Sequence, residues 1–316
     1  MLKGIVVSGI NNIYNVKAND RTWVCRIKGK VFQSARKFHN PIAAGDMVQF
    51  VPYNSKRYEG WIVSREDRTT SLVRWNKKRK APQVLAANAQ VQVCITSTDS
   101  PPFRPRFLDR LILMGEIGEM QAVIILNKID LGITEFVRNR IDNFKDIGYN
   151  VLFCSAETGE GIESVKEYLK GKVSVLTGQS GVGKSSILNR LGGKELAFVG
   201  LVSKKYNRGS HTTNSSNMYF VEDGNRRGME TVIIDTPGMR ELEIYGIEPD
   251  DLSFYFIDIN KYSGMCQYPS CRHINEPGCA VRKAVSQGEI HSDRYQSYIS
   301  IYNQLYKSSR EMYGRA

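Results

Sequence analysis

Residues 178–185, GQSGVGKS, have the composition and spacing of a loop that holds phosphate, G-x-x-x-x-G-K-[ST]. An apolar run, KVSVLTG, precedes it and a helix-forming run, GKSSILNRLGG, follows. Glycine lets the backbone N–H groups of Gly178, Gln179, Ser180, Gly181, Val182 and Gly183 curl round an anion. A helix beginning at Lys184, Ser185 and Ser186 adds partial positive charge. Lys184 is expected to bridge β- and γ-phosphates catalytically, and Ser185 to hold Mg²⁺. The plainer alternative is a glycine-rich turn without a ligand. Downstream, DTPG runs from Asp235 to Gly238 after the apolar run TVIID. Asp235 is expected to reach the same Mg²⁺ through water, with the Gly238 N–H on the γ-phosphate.

A third cluster could read a base. NKID, residues 127–130, closes the apolar run QAVIIL. Asn127 can satisfy the purine edge and tie this loop to the phosphate loop, while the stem of Lys128 lies along the base plane. The Asp130 carboxylate can accept from both N1–H and N2–H₂ of guanine. Adenine lacks that donor pair, and an unpaired buried carboxylate is costly, so GTP is selected over ATP. SAET, starting at Ser155 and Ala156, follows the next apolar run and places the Ala156 N–H for guanine O6. A simple strand-end turn is its bland reading.

The fourth cluster is Cys266-x4-Cys271-x-His273-x5-Cys279. Three thiols and an imidazole form a closed tetrahedral set suited to one structural Zn²⁺. Disulfides are the alternative, and the single histidine argues against them. A segment this short needs such a staple to hold its shape. Cys25, Cys94 and Cys154 sit inside strand patterns and read as buried hydrophobes.

These clusters need a sheet to bring them together. From residue 88 onward, strand-like and helix-like runs alternate, as in a doubly wound α/β domain whose ligands sit at the C-terminal ends of its strands. The base-reading motifs precede the phosphate loop here, whereas Ras-like GTPases have the reverse order. Joining the old ends of such a sheet and reopening the chain elsewhere gives the order seen, and circular permutation is tolerated because termini lie close at the surface.

The first quarter of the chain is a different object. Residues 1–80 hold 17 Lys and Arg against 5 Asp and Glu, a net +12; residues 81–316 hold 27 of each. Residues 1–75 show short alternating runs with Gly, Asn and Asp punctuation, which predict an all-β barrel of the OB type. Charge concentrated this way favours a polyanion, against the blander reading of a merely basic domain. Trp23, Phe32, Tyr53, Tyr58 and Trp61 are either base-stacking platforms or core. The basic run Arg74–Gln83 reads as a linker, residues 76–87, or a solvated hinge. The C-terminal residues 246–316 read as an α-helical zinc-binding domain, with Ser292 capping its last helix and Tyr298, Ile301, Tyr302 and Leu305 forming a packing stripe. No window holds the ~20 apolar residues of a membrane span, and no secretory signal is evident. A cytoplasmic monomer without membrane contacts is expected.

The chain resembles the circularly permuted GTPases of small-ribosomal-subunit biogenesis, the RsgA (YjeQ) family. The resemblance rests on NKID, SAET, GQSGVGKSS, GSHTTN, DTPG and CQYPSCRHINEPGC, and it covers nearly the whole chain. It implies a P-loop GTPase domain at residues 88–245, the small subunit and its rRNA as partners beside GTP and GDP, and a switch in RGSHTTNSS. By position in the family motif Thr213 is the Mg²⁺-binding and γ-phosphate-sensing threonine, with Thr212 the near alternative. Asn214 stands where the family has a third threonine. Met239 occupies the place where Ras-like enzymes orient water with Gln. His211 is the candidate water-positioner in its stead, unless it is only a loop histidine. The expected activity is ribosome-stimulated GTP hydrolysis in late subunit assembly. Two other readings stay open: an RNA-assembly scaffold that holds GTP with little turnover, and a GTPase acting on tRNA or the large subunit.

Overall fold

The computed structural model describes residues 1–29, 38–192, 215–221, 230–240 and 242–313. Phe32, His211, Thr212, Thr213 and Asn214 lie outside them. Strands β1 (Leu2–Ile10), β2 (Ile13–Ala18), β3 (Arg21–Ile27), β4 (Met47–Asn54) and β5 (Glu59–Arg65) run in the order β1-β2-β3-β5-β4, and β4 pairs back with β1. That closure makes the expected barrel. Its two tight turns are written in the sequence: Asn11-Asn12 and Asn19-Asp20 all take positive φ, which hairpin turns between twisted strands require. Val6, Val16, Cys25, Val48, Phe50 and Ile62 fill the interior. Trp23 packs on Phe50 and Tyr58 and belongs to that core, whereas Tyr53 and Trp61 pair at 5.0 Å with Tyr53 half exposed. Asp46 is fully buried as it enters β4. It accepts from the Ala43 N–H and from the Arg68 guanidinium at 2.7–2.8 Å, which fixes the chain leaving the barrel.

The expected linker at 76–87 is an ordered hairpin instead. Strand β6 (Ser71–Asn76) pairs with β7 (Ala81–Ala87), and the cations Lys77–Lys80 form its turn. Buried Leu72 and Val84 give it an apolar side, and Arg74 and Asn76 both donate to Gln83 across the strands. The 75/76 boundary therefore cuts through one element. A charge run at a turn hid the strand beyond it.

The nucleotide-binding half is a sheet in the order β10-β9-β8-β11-β13-β12. Its parallel members are β8 (Val91–Ser97), β9 (Gln121–Asn127), β10 (Asn150–Phe153), β11 (Val173–Gly178) and β13 (Thr231–Asp235). Strand β12 (Asn217–Val221) was not expected; it runs antiparallel to β13 at one side. Helices α1 (Pro105–Ile117) and α2 (Glu135–Ile147) cover one face, α3 (Ile162–Leu169) and α4 (Lys184–Gly192) the other. Local signals end α2 at both sides: Thr134 caps it by accepting from the Val137 N–H, and Gly148 at φ 110° stops it.

The C-terminal region follows with a 3₁₀ segment (Pro249–Tyr255), α5 (Ile257–Ser263), α6 (Ala280–Ser286) and α7 (Ser292–Tyr313). Tyr298, Ile301, Tyr302 and Leu305 are buried as the stripe predicted. The cap of α7 is His291, whose Nδ1 accepts from the Asp293 N–H at 3.1 Å, because the helix already begins at Ser292. A buried ion network joins α7 to the nucleotide domain. Arg294 donates to Asp109 of α1 at 2.6 Å and to Asp258 of α5 at 3.0 Å, and Arg140 of α2 stands 3.8 Å from Asp109. Among the described residues no helix is long and apolar enough to cross a membrane.

Candidate nucleotide site and metal centre

The four described nucleotide motifs converge on the C-terminal edge of the sheet. β11 delivers the phosphate loop, β9 delivers NKID, β10 delivers SAET, and β13 delivers DTPG. Gly178, Gly181 and Gly183 take φ of 155°, 87° and 96°. A side chain at Gly183 would also collide with Asn127, since its Cβ would lie 2.2 Å from the Asn127 Nδ2. Glycine is required there by conformation and by contact. Asn127 is buried and acts as the hub. Its Nδ2 donates to the Val182 carbonyl at 2.8 Å, and its Oδ1 accepts from the Ala156 N–H at 3.0 Å. The Ala156 N–H, expected on guanine O6, is thus committed to Asn127 in this structure.

Asp130 is exposed in the turn that follows β9. Lys128 sits in the left-handed region at φ 64°, and its ammonium donates to the Ser100 carbonyl, while Thr98 holds the Lys128 carbonyl at 2.7 Å. Ser155, expected to touch nucleotide, is fully buried and accepts from the Thr158 N–H at 3.1 Å, which closes the SAET turn. Sequence reasoning missed Arg190. From α4 it donates to the Ala156 carbonyl at 2.8 Å and to the Glu157 carbonyl, so the phosphate-loop helix clamps the SAET loop. No short motif marks that residue.

At the phosphate end, Lys184 is buried and donates to the Gly178 and Gln179 carbonyls at 3.1 Å each. Ser185 and Ser186 are exposed in the first turn of α4. Asp235 is 6% exposed, with one carboxylate oxygen, Oδ1, lacking any hydrogen-bond partner. Burial pushes its carboxyl up to about 6, against the pull of Lys184, and the same burial lowers the Lys184 ammonium. An orphaned acid oxygen beside a lysine is what a water-coordinated divalent cation would satisfy, so Ser185 and Asp235 fit Mg²⁺. Gly238 passes close to the phosphate loop, its virtual Cβ 3.1 Å from Ser180 Cα. Met239 is fully buried in the apolar core, and its N–H donates to the Gly178 carbonyl at 3.2 Å.

The cysteine cluster is equally compact. One ligand atom from each of Cys266, Cys271, His273 and Cys279 lies within 4.8 Å of the others, a set that could hold one metal ion. The His273 Nδ1 is the nitrogen that faces sulfur, 3.4 Å from Cys266 and 3.6 Å from Cys279. Burial lowers the imidazole below its ordinary range, keeping it in the neutral, ligating form. The loop is pre-shaped from both sides. Glu276 accepts from the Arg272, Ile274 and Asn275 N–H groups, and Tyr295 and Tyr298 donate to the His273 and Arg272 carbonyls.

Sheet order, motif placement and the joined barrel define a circularly permuted P-loop GTPase. Two family descriptions match the chain, RsgA N-terminal domain over residues 3–62 and RsgA GTPase over residues 65–245. The small ribosomal subunit biogenesis GTPase RsgA of Chlorobaculum tepidum is 38% identical over 313 residues, covering 96% of this chain and 98% of that protein. The crystal structure of YjeQ from Thermotoga maritima matches with a TM-score of 0.71 at 29% identity, over 96% of this chain and 98% of that one. YloQ, described as a circularly permuted GTPase, matches at 0.66 and 26% identity, over 98% and 96%. The chain belongs to the RsgA GTPase family and hydrolyses GTP.

Proposed function

We propose that this GTPase binds the small ribosomal subunit through its basic barrel and hydrolyses GTP there, late in subunit assembly, as a cytoplasmic monomer. The observation that carries the reading is the joining of a closed barrel, with its net positive charge, to a guanine-nucleotide site built in permuted order. Relatives named for small-subunit biogenesis span nearly the full chain, which supports the ribosomal target.

Asp130 selects guanine, and Asn127 holds the base loop to the phosphate loop. Residues 178–186 cradle the phosphates, with Lys184 leaving its two carbonyl partners for the β- and γ-oxygens. Mg²⁺, held by Ser185, Asp235 and Thr213, supplies charge neutralisation on the transferring phosphoryl group when bound. Gly238 reads the γ-phosphate, and His211 orients the attacking water, since Met239 does not. Cys266, Cys271, His273 and Cys279 would hold one Zn²⁺ as a structural staple of the C-terminal domain. GTP turnover measured with and without purified small subunits is expected to rise strongly with them. An unchanged rate would favour the second reading, a GTP-holding scaffold, which the burial of Met239 supports.

A further inference from the structure

A bulge in β1 turns the barrel toward the nucleotide sheet. Val6 pairs with Val16 and Ser8 with Asn15, so Val7 is an extra residue with no partner in β2. Its neighbours therefore serve two cores. Val6 fills the barrel, while Val7 joins the cluster that contains Met218, Phe220 and Ile234 of the nucleotide sheet. Ser8 then bridges to Asn217 of β12, antiparallel, and its hydroxyl accepts from the Asn15 amide at 2.8 Å, both side chains buried. Across the next ladder Asn217 stands opposite Asp235. Asn15, Ser8, Asn217 and Asp235 thus form one row across four strands, from β2 of the barrel to the acid of the phosphate site. Lys17 clamps the same strand, its ammonium 3.5 Å from the Phe220 ring centre and 3.5 Å from a Glu230 carboxylate oxygen.

Covering the open side of β12 would need only backbone pairing. A bulge, a buried amide–hydroxyl pair and a cation over a ring do more than that, because they set the strand's position. We propose that Ser8, Asn15 and Lys17 are positioning residues for the nucleotide site: the barrel determines how β12 lies on β13, and hence where the Asp235 carboxylate stands. Occupancy of the phosphate site and the state of the barrel are then linked in both directions. The ribosomal half of this link rests on the function proposed above; the nucleotide half does not.

The test is amide hydrogen exchange on the full chain, loaded with GDP or with a non-hydrolysable GTP analogue. In the wild type, residues 2–18 are expected to exchange at different rates in the two states. Lys17→Met and Ser8→Ala are expected to abolish that difference, and Lys17→Arg to keep it. With small subunits present, Lys17→Met should lower the ratio of stimulated to unstimulated kcat roughly tenfold at unchanged KM for GTP. Identical exchange of β1 and β2 in both wild-type states overturns the proposal. So does a nucleotide-dependent difference that survives Lys17→Met, or faster exchange throughout the barrel in both states, which marks a merely structural residue. If subunits fail to stimulate the wild type, the proposed function falls, and the exchange comparison still decides the coupling.

Discussion

Asp235 shows how a functional residue differs from a structural one. Its carboxyl is raised from 3.8 to about 6 by burial, so the ligand-free fold carries a penalty once the group ionises. The sign follows from linkage: a carboxyl raised in the folded state favours folding below the unfolded value and loses that contribution as pH rises through about 6. That rise corresponds to about 3 kcal/mol. Asp235→Asn is therefore expected to raise the melting temperature of the nucleotide-free protein at pH near 7.5, an advantage that disappears as the pH falls toward ~4. In Mg²⁺ and GTP the order should reverse, because the wild type gains the cation that its orphaned Oδ1 awaits. Thermal melts across pH, with and without Mg·GTP, check both halves. The phosphate loop was legible because glycine and lysine spacing encodes phosphate chemistry within eight residues, and DTPG repeats the signal after a second apolar run. Arg190 and the Asn127–Ala156 bond were not, because they join segments that only the fold brings together.

Elements were legible where local rules decide them. Asparagine-rich turns gave the barrel, and Thr134 with Gly148 gave α2 both its ends. The β6–β7 hairpin and the short strand β12 escaped, since one hides behind four successive cations and the other has five residues without clear punctuation. The bond between α1 and α7 is the extreme case, with Asp109 and Arg294 separated by 185 residues. Asp109 has no exposed surface and is held by Arg294, Ser297 and, more distantly, Arg140. Removing Arg294 leaves a buried acid short of its main partner, a loss of about 3–5 kcal/mol. Arg294→Met is expected to cost that much in denaturant unfolding, and Asp109→Asn in the same chain to recover a large part of it. A double-mutant cycle measures the coupling. Additive losses would show that the two helices are held by apolar packing alone.

At the scale of the whole molecule, charge and topology divide the labour. The cations of the hairpin turn project from an element docked on the nucleotide domain, where Trp75 stacks on Tyr245 at 5.7 Å and Lys77 pairs with Glu243 at 3.0 Å. Lys78, Arg79 and Lys80 stand exposed beyond that anchor, where, on the proposed function, they would meet phosphates. Replacing all three with alanine should weaken subunit binding and flatten its dependence of log affinity on log salt by up to about 2–3, with GTP turnover in the free protein unchanged. Affinity measured over a salt series checks the slope; an unaltered slope removes the hairpin from the contact. The permuted order has a further consequence, for synthesis. Strand β8 is central, flanked by β9 and β11, yet Val91 and Val173, which open β8 and β11, are 82 residues apart. At roughly 5–20 residues per second, one hydrogen-bonding side of an apolar strand waits on the order of 4–16 s for its neighbour to be made. The guanine-reading half of the sheet is thus born first, with a raw edge that the phosphate-binding half arrives to cover.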